Sequence, residues 1–319
     1  MHIRDNVIIS IRNTFVVLAV SAGAVFAQPY AYTSNLHGLS IVNLANNMVA
    51  DRIAISHAGL GGLSVTPDGS YVYVAEQTKN SVAVIQTADR AVIATIPVGI
   101  SPVQVAVAPD GRTAYVTNQN SNNVSVIDTL TRTVVATVAV GSHPYGVTVT
   151  PDGRTVLVTN GSSNSISVIK AALNTVIATW NTLSGPHGIA ISPNGAEAYV
   201  ANQYANAVSF HNMSQGNIQS TITGLLAPNA VAVTPDGAQL YVTEGNASAV
   251  SAVNIPSRLI TARIVTGTVP TSVAVSFDGT AAYVTSGYGS IFQIESATNT
   301  VAHVIRKVGL VPTSIALSH

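Results

Sequence analysis

Apolar residues run along the chain in short clusters, and turn-forming residues break them every few positions. One stretch shows the pattern: Val105-Ala106-Val107-Ala108, a break at Pro109-Asp110-Gly111, then Tyr115-Val116-Thr117-Asn118, Val124-Ser125-Val126-Ile127 and Val134-Val135-Ala136-Thr137-Val138. These runs are rich in β-branched residues, which suit a pleated, half-buried surface, and are bounded by Gly, Pro, Asn, Asp or Ser. They predict four consecutive short strands. Proline presets φ within the break and its glycine tolerates positive φ, so Pro-Asp-Gly predicts a tight antiparallel hairpin.

The break returns every 42 residues, at Pro67-Asp68-Gly69, Pro109-Asp110-Gly111, Pro151-Asp152-Gly153, Pro193-Asn194-Gly195, Pro235-Asp236-Gly237 and Phe277-Asp278-Gly279. The Tyr115 segment recurs in phase at Tyr73, Leu157, Tyr199, Tyr241 and Tyr283, with a degenerate copy at Tyr32-Thr33-Ser34-Asn35. A constant period of this length marks one supersecondary unit copied many times. The first copy lacks a first strand and turn, whereas Pro312-Thr313-Ser314-Ile315-Ala316-Leu317 is a first strand alone. Such complementary ends suit a closed ring better than a linear array, which needs polar caps. The expected fold is therefore all-β: a seven-bladed β-propeller of four-stranded blades, closed by the C-terminal strand joining the N-terminal blade. Residues 30–55 plus 313–318 should make the closing blade, within a single domain spanning 28–319.

With Tyr115-Val116-Thr117-Asn118 intact, the chain resembles the YVTN-repeat β-propellers of secreted and surface-layer proteins in bacteria and archaea. That resemblance covers essentially everything after residue 29. It implies a propeller outside the cytoplasm and, for most members, no established activity.

Composition adds two constraints. Charged residues are only 8% and hydrophobic residues 47%, as expected where blades pack on both faces, yet no stretch beyond the N-terminus is long and apolar enough to span a bilayer. Cysteine is absent, which excludes disulfides, thiolate metal sites and Cys nucleophiles. Arg4 and Arg12 precede an apolar run from Phe15 to Val20, and Val25-Phe26-Ala27 offers small residues at a cleavage site. Residues 1–27 thus read as a signal peptide, implying an exported protein, periplasmic, extracellular or at the cell surface. Without Arg4, Arg12 and Asp5 the 13 basic and 13 acidic residues become 11 and 12, so no nucleic-acid partner is expected.

Candidate chemistry concentrates where interblade connections and second-strand ends meet around the axis. Glu76, Asn118, Asn160, Asn202, Glu244 and Ser286 end the second strands, while Gln104, Tyr145, Asn229 and Thr271 lie on or beside the connections. These are expected to form a polar rim that binds a protein, glycan or small molecule. His143 and His187 are the candidate catalytic groups, and His143, His187 and Glu244 the candidate ligands of a divalent ion in the central channel, because imidazole and carboxylate supply the ligands and proton-transfer groups there. Gly185-Pro186-His187-Gly188-Ile189 also resembles a stretch of the streptogramin lyases, which implies a catalytic histidine and a divalent ion. At single positions the plainer readings are structural: Asn and Glu as loop starters, the repeated Tyr as filler between blades, the repeated Asp as a turn former. Two functions follow. The first is an exported, non-catalytic binding or scaffold module; the alternative is a metal-dependent lactonase or lyase.

Overall fold

The computed structural model describes residues 29–55 and 59–318. Their strands form seven four-stranded antiparallel sheets, each a blade ordered from inner to outer strand. Numbered along the chain, blades 2 to 7 span 60–97, 102–139, 144–181, 186–223, 228–265 and 270–306. Blade 1 combines Tyr30–Asn35, Gly38–Asn43 and Met48–Ala54 with Ser314–Leu317 as its innermost strand. The closing ladder pairs Ala31 with Leu317, Tyr32 with Ala316, Thr33 with Ile315 and Ser34 with Ser314. Ring closure by the last strand is thus as the complementary ends of the array anticipate. The signal-peptide reading falls on residues outside the described ones. Among the described residues no helix is long and apolar enough to cross a membrane.

The hairpins form as the turn chemistry dictates. Gly111 sits at φ 73° and its N–H donates to Ala108 O at 2.9 Å, while Asp110 Oδ1 accepts the Arg112 N–H at 3.0 Å. At the Phe277 variant the same arrangement holds, with Asp278 Oδ1 accepting the Thr280 N–H at 3.0 Å. In four of these turns a Thr or Ser hydroxyl and a backbone N–H hold the Asp carboxylate, at Asp68, Asp152, Asp236 and Asp278, and lower its pKa. The repeated Asp is therefore a turn former.

The core is radial, one apolar layer between each pair of blades. Tyr73, Val84 and Ile96 of blade 2 pack with Val105, Ala114, Val116 and Ile127 of blade 3. The repeated tyrosines fill these layers as expected, with Tyr73, Tyr199 and Tyr241 fully buried. Their hydroxyls find partners near the edge: Tyr73 donates to Thr129 O at 3.3 Å and Tyr241 to Asn299 Oδ1 at 3.1 Å.

Candidate functional site

Each inner strand of blades 2 to 7 is irregular just after its opening residue. In blade 4 Pro144 pairs with Asn160 but Val147 with Val158, so Tyr145 and Gly146 oppose a single residue. The same slip brackets His187-Gly188 in blade 5, Asn229-Ala230 in blade 6 and Gly61-Gly62 in blade 2. A single-residue slip falls at Val103 in blade 3 and Thr271 in blade 7. Bulges of this kind re-aim side chains. Here they place one residue per blade around the axis: Gly61, Val103, Tyr145, His187, Asn229, Thr271 and, from the closing strand, Thr313.

Inside this ring lies a cavity of about 200 Å³ to which all seven blades contribute, among them Gln77, Gln104, Tyr145, Asn229, Ser272 and Ser314. The bulges close on one another through backbone contacts. A Cβ at Gly188 would lie 2.6 Å from Asn229 O, so only glycine permits that approach. Second-strand hydroxyls stitch each blade to the next: Thr117 Oγ1 donates to Tyr145 O at 2.7 Å and Thr159 Oγ1 to His187 O at 2.6 Å.

Beside the cavity, between blades 4 and 5, a bay of about 110 Å³ is lined by His143, Tyr145, His187, Tyr204 and neighbouring loop residues. Tyr145 borders both spaces and stacks its ring on the His187 imidazole. Burial pushes His187 down from 6.5 to about 4, hydrogen bonding with Asn229 offsetting part of that shift. His187 Nδ1 has no hydrogen-bond partner. His143 is exposed and lies in the left-handed region at φ 52°, its N–H donating to Asn122 Oδ1 at 2.9 Å.

The second-strand ends do not join this ring, which corrects the expected rim. Glu76, Asn118, Asn160, Asn202, Glu244 and Ser286 are at most 1% exposed. Their side chains turn toward the third strand rather than the axis. Asn118 Nδ2 donates to Ser125 Oγ at 2.9 Å, Asn160 Nδ2 to Ser167 Oγ at 3.0 Å and Asn202 Nδ2 to Ser209 Oγ at 2.9 Å. The incoming interblade loop then covers them: a Cβ at Gly99 would strike Asn118, and one at Gly141 would strike Asn160. They are latches between strands and loop.

Glu244 is held the same way, by the Ser251 hydroxyl, the Leu226 N–H at 2.8 Å and Arg263 at 3.1 Å. It is therefore not brought to His143 and His187. Among the described residues no three His, Asp or Glu side chains gather in a metal-binding group. The donor set His143, His187 and Glu244 does not fit an ion shared between them.

The residues that sequence reasoning passed over are Gly61, Gly62, Gln77, Ser272, Thr313 and Ser314. Their signal was present: Gly61, Thr271 and Thr313 share the 42-residue phase of Tyr145, one place after the recurring proline slot. A second omission is His211, fully buried where blades 2, 3 and 4 carry Ile85, Ile127 and Ile169. Its Nε2 lies 3.1 Å from Thr182 Oγ1 and 3.0 Å from Ser209 Oγ, and Thr182 replaces the Val98 and Val140 of earlier copies.

Burial pushes His211 from 6.5 to about 4, hydrogen bonding with the Gly216 backbone offsetting part of that shift. The unfolded chain takes up a proton below pH 6.5 that the folded ring refuses until about 4, so stability is full above 6.5 and falls as pH drops between those values. The expected loss is up to about 3 kcal/mol for a fully shielded ring. Urea denaturation at pH 7 and pH 4.5 checks it. The double variant His211→Ile, Thr182→Val should reduce the slope to the part that His187, shifted in the same way, supplies, and an unchanged slope would remove His211 as a source.

Residues 28–134 match the profile of a family described as "Lactonase, 7-bladed beta-propeller". A 94-residue segment, 30% of this chain, is 33% identical to the "Uncharacterized protein YwhL" of Bacillus subtilis (strain 168), and that match spans only 20% of the relative's length. Among solved structures, a functionally unknown protein from Desulfotomaculum acetoxidans DSM 771 is similar with a TM-score of 0.80, at 16% identity over 91% of this chain and 99% of that one. A "putative 6-phosphogluconolactonase" from Bacteroides fragilis NCTC 9343 has a TM-score of 0.77, at 15% identity over 93% and 99%. Another from Bacteroides uniformis ATCC 8492 has 0.76, at 17% over 91% and 100%. At these identities the structural likeness is one of fold.

Proposed function

We propose that the chain is a lactonase-type hydrolase that opens a cyclic ester in the axial cavity, with His187 as its proton acceptor. The observation that carries this reading is the ring of bulges, which gathers neutral hydrogen-bonding groups around a single axial space and sets the His187 imidazole in the adjoining bay, stacked on the Tyr145 ring that borders both. The lactonase-propeller match over residues 28–134 supports it over a non-catalytic scaffold.

In this chemistry a water at the Tyr145 border between the axial cavity and the bay attacks the ester carbonyl and its proton passes to the neutral His187 imidazole; the ring C–O bond breaks, and the imidazolium returns the proton to the departing alkoxide. Gln104, Ser272 and Ser314 supply neutral N–H and O–H donors for the developing oxyanion. An imidazole held neutral accepts a proton at any pH above about 4, so the rate should rise through that value and stay level past neutrality.

The test is a pH-stat screen of lactones with purified protein. His187→Gln should lower kcat by roughly 10²- to 10⁴-fold with the melting temperature unchanged. If no lactone opens above the buffer rate, the reading is lost. The same preparation examines export, which belongs to the proposal together with membership of the YVTN-repeat group: protein recovered outside the cytoplasm should begin at Gln28. Recovery there with residues 1–27 still attached would count against a cleaved signal.

A further inference from the structure

Resting on that hydrolase reading, we infer that the substrate is an uncharged, hydroxyl-rich lactone and not a phosphorylated one. A phosphate dianion brings acceptors only, and proteins meet it with Arg, Lys or unengaged backbone N–H groups. The cavity wall offers none of the charged donors: no Lys or Arg lines it. Lys79, two residues beyond Gln77, is paired with Glu76 at 2.8 Å, and Arg263 is held by Glu244.

Backbone amides of the bulges are also engaged. The Gly146 N–H donates to Thr159 Oγ1 at 2.8 Å, that of Ala230 to Thr243 Oγ1 at 2.8 Å and that of Gln104 to Thr117 Oγ1 at 3.2 Å. In three blades, then, the turn at the axis is not an anion nest.

Side-chain donors on one half of the ring point into the wall as well. Thr271 Oγ1 donates to Pro312 O at 2.7 Å, Thr313 Oγ1 to Leu60 O at 3.0 Å and Asn229 Nδ2 to Thr271 O at 3.1 Å. Each hydroxyl oxygen keeps lone pairs, and Gln104 Oε1 is buried with no donor at all. A ligand that matches such a wall brings O–H donors of its own and accepts in turn from Ser272, Ser314 and the carboxamides. A sugar-derived lactone does both. A phosphate would give up its water for a site without counter-charge, a large desolvation penalty.

The experiment compares gluconolactone with 6-phosphogluconolactone under the same conditions. We expect kcat/KM for the unphosphorylated ester to be at least roughly 100-fold higher. Thr271→Arg, which adds a cation to the ring, should narrow that ratio, and Thr271→Val should weaken use of the neutral ester about tenfold. Equal or better use of the phosphorylated ester would overturn the inference while leaving the hydrolase reading intact. Should neither ester be opened, the hydrolase reading is decided by the wider lactone screen, and calorimetry with gluconolactam and its phosphorylated form decides the selectivity by itself. Binding of the neutral lactam alone upholds it; binding of the phosphorylated form, or of neither, ends it.

Discussion

Removing residues 313–319 is expected to destroy the cooperative stability of the whole ring, not of blade 1 alone. Ile315 and Leu317 are buried in the layer with Ala31, Val42, Ala281 and Ile305, and losing each forfeits about 1.5–3 kcal/mol. Thr313 donates to Leu60 O at 3.0 Å and lies 2.8 Å from Ser34 Oγ, which itself donates to Gly61 O at 2.7 Å. These bonds tie blade 1 to blade 2, at about 1 kcal/mol each. The deletion also exposes two sheet edges that the intact ring hides. A loss on the order of 5–8 kcal/mol approaches the entire stability of an ordinary domain. The single tryptophan, Trp180, sits in blade 4, away from the closure, so its fluorescence reports whether the effect spreads. Urea titration of the truncated chain should show an early, broad transition at Trp180. Ile315→Asp with Leu317→Asp should reproduce it at full length, and an unshifted midpoint in both would refute closure as the stabilising feature.

Glu244→Ala is expected to cost about 3 kcal/mol, while Glu244→Gln costs about 1. The alanine leaves the Ser251 hydroxyl, the Leu226 N–H and the Arg263 guanidinium without their common acceptor at a position with no exposure. Glutamine keeps the shape and one acceptor oxygen. Because the carboxylate lies outside the axial cavity, neither variant should alter KM for a lactone substrate at a temperature where the protein remains folded. Chemical denaturation gives the first quantity and initial rates the second. A KM change without a stability change would return Glu244 to the site.

The fold was legible because period, turn chemistry and the complementary ends agree: one 42-residue clock sets the Pro-Asp-Gly turns, the buried tyrosines and the strand that closes the ring. The site was only half legible, and the reason is geometric. Two series share that clock, the second-strand ends at Asn118 and Asn160 and the inner-strand residues at Tyr145 and Thr271. Periodicity cannot rank them. Alternation along a strand decides which face a side chain takes, and a bulge inverts that alternation locally. The bulge follows from how inner strands crowd at the axis, a tertiary effect with no marker in the local text. His211 is different: a histidine where three copies carry isoleucine was visible as a departure, and only its partner Thr182 needed coordinates.

The clasp of blade 1 joins residues separated by almost the full length of the chain, with the Ser318 N–H donating to Tyr30 O at 2.9 Å. Blades 2 to 7 are built from neighbouring hairpins and can assemble in order as they leave a ribosome or a pore. The three earliest strands must wait, their inner partner missing, until residue 317 has emerged, so the final step is slow loop closure rather than local pairing. During that interval the unpaired Tyr30–Asn35 edge is the segment most open to capture by a second chain, which makes crowded synthesis the condition under which this protein is most exposed to misassembly.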